Sequence, residues 1–225
     1  MTRTGASARP PVAPDREADS LVEWAQLNSR AIVIGVVVLL LAIAGWWLYR
    51  TNREARVAQA ETALARAGQS LATNNVPLAI TDLQRVVDGF SGTPAAREAA
   101  LLLAQLHYGQ GEHQKGVEVL QRAADQAEGD GLGAPVHVLI ADGQMELQQY
   151  EEAARSYLRA AELSPFAMEQ ANDSASAARA FTAAKNVEAA TAIWRALAED
   201  EDSPVRGEAK IRLGELTALA VVPAT

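Results

Sequence analysis

A 37-residue period runs through most of this 225-residue chain, in four units that begin at Ala60, Arg97, Ala134 and Ala171. The eighth position of each unit is Ala67, Ala104, Ala141 and Ala178, and the twentieth is Ala79, Gly116, Ala153 and Ala190. The twenty-fourth is Leu83, Leu120, Tyr157 and Trp194, and the twenty-seventh is Val86, Ala123, Ala160 and Leu197. Small side chains at eight and twenty let two antiparallel helices approach closely, and bulky ones at twenty-four fill the space between one pair and the next. Composition agrees. Hydrophobic residues make up 49% of the chain but aromatics only 5%, and much of the apolar content is alanine, the best helix former. β-Branched and aromatic residues, which strands favour, are scarce outside one segment. The expected fold class is all-α, a right-handed helical solenoid of about four helix pairs over residues 60–219.

Turn signals fall where that model needs them. Asn74-Asn75-Val76-Pro77 turns the first hairpin, Gly89 to Pro94 and Gly129 to Pro135 separate units, and Ser164-Pro165 closes the third. After Asp200-Glu201-Asp202-Ser203-Pro204, residues 205–219 read as one more amphipathic helix, with Ile211, Leu213 and Leu216 on its apolar face. A lone final helix is a usual cover for an open solenoid end, and residues 220–225 are expected to fray. The pattern resembles the tetratricopeptide repeat, whose period is about 34, with the three extra residues placed in the loops between units. Leu106 through Gly116 and Gln149 through Pro165 carry the resemblance most clearly. The first unit departs from it at Arg66 and the fourth at Ala177, in the terminal units whose outer faces meet water.

Residues 31–49, Ala-Ile-Val-Ile-Gly-Val-Val-Val-Leu-Leu-Leu-Ala-Ile-Ala-Gly-Trp-Trp-Leu-Tyr, hold no charge and no strong polar group. As a helix they reach roughly 28 Å, close to the hydrocarbon thickness of a bilayer. Trp46, Trp47 and Tyr49 form an aromatic belt at one end, Arg50 closes it, and Arg30 closes the other. A cleaved signal peptide has a shorter apolar core ending in small residues, which Trp-Trp-Leu-Tyr-Arg is not. A single N-terminal transmembrane helix is therefore expected, with a connecting helix over 50–59. Residues 1–19 are rich in Pro, Ala, Thr and Arg and are expected to be a disordered tail. Ser20 and Glu23 fit a capping box for a juxtamembrane amphipathic helix over 20–30, with Leu21, Trp24 and Leu27 on the membrane surface. Arginines flank both ends of the span, so the charge balance does not set its orientation.

The net charge of −8 is unevenly spread. Residues 1–56 hold seven arginines against five acids, which leaves 13 basic and 23 acidic residues beyond, a net of −10. Such a domain repels phosphate backbones, and nucleic acid is not expected as a partner. The absence of cysteine excludes disulfides, thiolate metal sites and cysteine nucleophiles. His137, His107 and His113 occupy repeat positions four, eleven and seventeen, where bulky packing residues belong, and read as packing rather than as ligands or bases. No His-Glu-x-x-His, Gly-x-Ser-x-Gly or phosphate-binding glycine loop occurs. The clusters Glu151-Glu152 and Glu199 to Asp202 read as solvated surface. Catalysis, cofactors and metals are not expected.

Protein binding remains. In the tetratricopeptide family, positions five, nine and twelve of each first helix point to the concave face. By that resemblance the candidate binding face is Leu64, Gly68 and Leu71; Leu101, Gln105 and Tyr108; Val138, Asp142 and Met145; and Ala175, Arg179 and Thr182. Leu, Tyr and Met along one groove would suit an apolar or amphipathic peptide. Several of these positions could equally be inter-unit core. The row of Lys and Asn with which chaperone-binding members clamp a C-terminal carboxylate is missing.

A short tail, one span and an acidic repeat domain with a final helix together resemble the YfgM-like family of membrane-anchored tetratricopeptide proteins, over about residues 20–219. The resemblance implies a bacterial inner-membrane, single-pass protein with a cytoplasmic N-terminus and a periplasmic repeat domain, ancillary to the SecYEG translocon. Its partners would be the translocon, chaperones or unfolded chains, together with the lipid bilayer. Other readings are a structural accessory subunit of another membrane complex, with Gly35, Gly45 and the Trp pair packing against neighbouring spans, an outer-envelope or division-related scaffold, and an enzyme, whose mark would be a pocket of perturbed titratable groups.

Overall fold

A computed structural model of the protein describes residues 29–127 and 131–221. The expected tail over 1–19, most of the helix over 20–30 and its Trp24 lie outside the described residues. Every regular element among those described is a helix: α1 (Ser29–Ala72), α2 (Val76–Gly89), α3 (Pro94–Gly109), α4 (His113–Ala127), α5 (Gly133–Glu146), α6 (Tyr150–Leu163), α7 (Ala167–Ala183), α8 (Val187–Glu199) and α9 (Arg206–Val221). The chain divides into two compact units, residues 1–54 and 55–225.

In the first unit, α1 carries the apolar stretch. It is long and apolar enough to cross a membrane, and none of its apolar stretch is buried. Arg30, Trp46, Trp47, Tyr49 and Arg50 are all exposed. The Arg50 Nε donates to Glu54 Oε1 at 2.9 Å, and its guanidinium lies 5.7 Å from the Trp46 ring centroid.

The second unit is a tetratricopeptide-like solenoid, in which the 37-residue period shows as geometry. Residues Ala67, Ala104, Ala141 and Ala178 have no exposed surface, nor have Ala79, Ala153 and Ala190 opposite them. Leu83, Leu120 and Trp194 are sealed at the twenty-fourth position and Tyr157 nearly so. Burying each such large side chain contributes roughly 1.5–3 kcal/mol. The hairpin turns repeat in the same register. Helices end at Ala72, Gly109, Glu146 and Ala183, and the left-handed residue two places on is Asn74, Gly111, Gln148 and Lys185, with φ of 56°, 76°, 59° and 62°. Each turn closes with the same pair of backbone bonds: Asn74 N–H donates to Leu71 O and Asn75 N–H to Ser70 O, and the three later turns repeat it. This double bond is the Schellman motif, which satisfies the last carbonyls of a helix.

Unit boundaries are less regular, and at the first of them the Thr93 hydroxyl accepts from Ala96 N–H at 3.2 Å with Pro94 leading the helix. Inside the first and last hairpins, Asn75 and Asn186 cap the second helix by accepting from Leu78 and Ala189 N–H. Each helix from α2 onward packs on its neighbours in sequence, and the first helices α3 and α5 also touch. The core falls into three clusters along the array, around Leu83 and Leu103, around Leu120 and Ile140, and around Tyr157, Phe181 and Trp194. Ala209 and Leu216 of α9 close the last of these, so α9 covers the end of the solenoid.

Candidate functional site

The first helices α3, α5 and α7 line a groove of about 420 Å³. Its walls are Leu101 and Gln105 of α3, Ala134, Pro135, Val138 and Leu139 of α5, and Glu169, Asn172 and Asp173 of α7. Leu101, Val138 and Leu139 are half-buried, so each offers an apolar edge to the groove while its remainder packs inward. Close packing sets the distance between α3 and α5. Gly116 and Gly143 are buried, and a Cβ on either would run into Tyr108, within 2.6 Å of its Cδ1 from Gly116. The Tyr108 ring thus lies in a notch cut by two glycines, stacked on His113 at a centroid distance of 5.4 Å. Its hydroxyl donates to the Leu139 carbonyl oxygen at 2.8 Å.

The α7 wall is acidic. Burial, then the neighbouring Glu169 and Asp142 carboxylates, push the Asp173 carboxyl up from its ordinary 3.8 to about 6. Glu169 accepts a hydrogen bond from the Ser164 hydroxyl at 2.6 Å, and its place in the first turn of α7 suits the helix dipole. Asp142 of α5 accepts a short hydrogen bond from the Tyr157 hydroxyl. That phenol is raised far above its ordinary value by burial, then by the bond to Asp142, and stays a donor. A groove with an apolar floor and a carboxylate wall can take apolar side chains and a cation together.

Of the residues expected on the binding face, Leu101, Gln105 and Val138 line this groove, and Asp142 bears on its charge. Tyr108 and Met145 are half-buried, Tyr108 as the spacer just described and Met145 against the last core cluster. Leu64 and Leu71 are half-buried on α1, Leu64 against the first cluster. The ninth positions Gly68, Gln105, Asp142 and Arg179 are exposed in every unit, as is Thr182, whereas Ala175 is fully buried in the core. Arg179 makes a two-pronged pair with Glu208 of α9, at 2.9 and 2.7 Å, and lies 5.9 Å from the Trp194 ring centroid.

Sequence reasoning missed Pro135 and Asn172, at position two, and Leu139, at position six. It also missed Glu169 and Asp173. These acids are one turn apart on α7, a spacing that puts both on one helix face and was readable in advance. Of the three histidines, His107 is buried with Nδ1 2.7 Å from Glu112 Oε2, and His113 stacks on Tyr108. Among the described residues, no three His, Asp or Glu side chains are grouped to hold a metal ion.

The model of the tetratricopeptide repeat-like domain matches residues 23–174. The chain belongs to that family. Two solved structures show the same fold: a Podosopora anserina protein designated a kinesin light chain, built of nearly identical TPR-like repeats, and a single-substitution variant of it. The first aligns with a TM-score of 0.53 at 16% identity, over 73% of this chain and 88% of that one. The variant aligns at 0.52 and 16%, over 73% and 87%. At that identity the likeness speaks of the fold alone. No curated protein matches the chain. A repeat domain of this family is a protein–protein interaction scaffold, because stacked helix pairs leave long exposed surfaces along the array.

Proposed function

We propose that this protein is a non-enzymatic, single-pass membrane scaffold whose repeat domain binds other proteins in support of protein translocation or an envelope chaperone network. In this reading residues 31–49 span a bacterial inner membrane. Arg30, Trp46, Trp47, Tyr49 and Arg50 meet the bilayer interfaces, the N-terminus is cytoplasmic and the solenoid is periplasmic. The observation that carries the anchor is the bare apolar helix: Val33, Leu41 and Leu48 are each more than half exposed, which only lipid or another apolar helix tolerates over such a length. The groove across α3, α5 and α7 supports the binding role, with Leu101, Gln105 and Val138 as contact residues and Asp142 adding to its negative charge. The translocon role and the periplasmic placement rest on the architectural resemblance to the YfgM-like family.

Topology and partners test the two halves separately. The chain has no cysteine, so Ser91→Cys in the exposed loop before α3 gives one labelling site. Labelling of intact cells by a membrane-impermeant maleimide is the expected result, and labelling only after lysis would refute the periplasmic placement. Purification of the full chain in mild detergent is expected to bring translocon subunits or chaperones with it. Recovery of the chain alone, after crosslinking in cells, would refute the scaffold reading.

A further inference from the structure

We infer that the groove between α3, α5 and α7 receives a segment of a partner protein that carries an arginine or lysine beside apolar side chains. The apolar side chains pack on Leu101, Val138 and Leu139, and the cation sits against Glu169 and Asp173. This deepens the protein-binding reading above and rests on it.

Several observations converge on that chemistry. The floor of the groove is apolar and half-buried, so a ligand gains by covering it. Its far wall places two carboxylates at i and i+4 on α7, an arrangement of like charges that disfavours a helix in isolation. The helix dipole accounts for Glu169 in the first turn, but not for Asp173 a full turn further on. Asp173 is half-buried and faces Glu169 from its own helix and Asp142 from α5. Arg179, further along the same helix, is committed to Glu208 of α9. Holding a carboxylate among carboxylates in a partly dry groove is unfavourable until a cation arrives. Arginine or lysine fits better than a bare ion, because its aliphatic stem covers apolar surface while its head reaches the carboxylates. Phe166, the extended residue just before α7, adds apolar surface near this end of the helix and is 61% exposed. The net of −10 beyond residue 56 draws such a segment in from a distance and repels acidic ones.

The test uses the full chain in neutral maltoside micelles and three fluorescein-labelled nonapeptides, alternating leucine with arginine, glutamine or glutamate. The arginine peptide is expected to bind at least tenfold tighter than the glutamine peptide, and the glutamate peptide not to bind. In the double variant Glu169→Gln, Asp173→Asn that preference is expected to vanish, with the glutamine peptide unchanged. Gln105→Lys, an exposed substitution in the opposite wall, is expected to weaken the arginine peptide several-fold without disturbing the fold. Equal affinity for the three peptides, or an unchanged preference in the double variant, overturns the proposal. Partners that co-purify equally with the wild type and the double variant would likewise overturn it, and leave the scaffold reading standing.

Discussion

The Tyr108 hydroxyl donates to the Leu139 carbonyl oxygen at 2.8 Å, a bond that ties the first helix of one repeat to the first helix of the next. Burial, with Asp142 nearby, holds this phenol far above its ordinary pKa, so it remains a donor at any working pH. The ring reaches Leu139 because Gly116 and Gly143 leave room for it. At Gly116 the three nearest atoms to an added Cβ all belong to Tyr108.

Gly116→Ala is therefore expected to destabilise the repeat domain by roughly 1–3 kcal/mol, the usual cost of overpacking. In a Tyr108→Ala background the obstacle is gone and alanine's helix propensity is worth about 1 kcal/mol over glycine. There the same substitution should stabilise. Gly143→Ala should stay unfavourable in that background, because Val117 Cγ2 lies 2.6 Å from the added Cβ. Urea unfolding of the four variants measures this coupling. Equal costs in both backgrounds would show that Tyr108 is not the obstacle.

The hairpin turns allow a second prediction. Asn74, Gln148 and Lys185 hold left-handed backbones that glycine adopts without strain, and Gly111 already fills the equivalent place. Lys185→Gly and Gln148→Gly should each stabilise by roughly 0.5–1 kcal/mol, and Gly111→Ala should cost about 1 kcal/mol. Asn74→Gly should gain least, since asparagine tolerates this region best among the three. Thermal melts of the single variants rank them.

These turns also show what the sequence could and could not reveal. The period, the close-packed alanines and the buried twenty-fourth position were legible, because helix pairing leaves a fixed imprint of small and large side chains. The left-handed position was not, because only one of its four occupants is glycine and the Schellman geometry is imposed by the backbone. The groove was half legible. Leu101, Gln105 and Val138 follow from repeat register, but Asp173 gains its character from Asp142 on another helix, a contact that no local spacing encodes. Arg179 counted as a groove residue by register, yet its partner Glu208 lies 29 positions on.

Asp173 makes stability depend on pH in a defined direction. Its folded value of about 6 exceeds the ordinary 3.8, so the folded state binds a proton more tightly than the unfolded chain. Stability from this group is greatest below about pH 4 and declines as pH rises to about 6, beyond which the penalty is constant. Asp173→Asn should remove that penalty, raising stability at pH 7.5 by on the order of 1 kcal/mol after allowance for solvent screening of a half-exposed group. Near pH 5 the gain should shrink. Paired melts at pH 5 and 7.5 read it directly, and a gain that is equal at both would remove Asp173 as the source.

The end of the array makes the most local prediction. Arg179 of α7 grips Glu208 of α9 through two parallel bonds and holds that carboxyl below its ordinary value. Apart from this pair, α9 is fastened by Ala209, Leu213 and Leu216 against the last core cluster and by Arg206 Nε donating to the Ala198 carbonyl oxygen of α8 at 3.2 Å. In a solenoid each unit leans only on its neighbours, so loosening the final helix should leave distant units unchanged. Arg179→Met keeps much of the stem over Trp194 and removes the charge. Amide exchange in α9 should then accelerate by roughly threefold to tenfold, as expected for losing a charge-assisted contact worth about 1 kcal/mol. Exchange in α3 to α6 should not move. The charge swap Arg179→Glu with Glu208→Arg should recover part of the protection, which neither single substitution does. A uniform rise in exchange along the whole array would instead mean that α9 and the inner repeats unfold as one cooperative block.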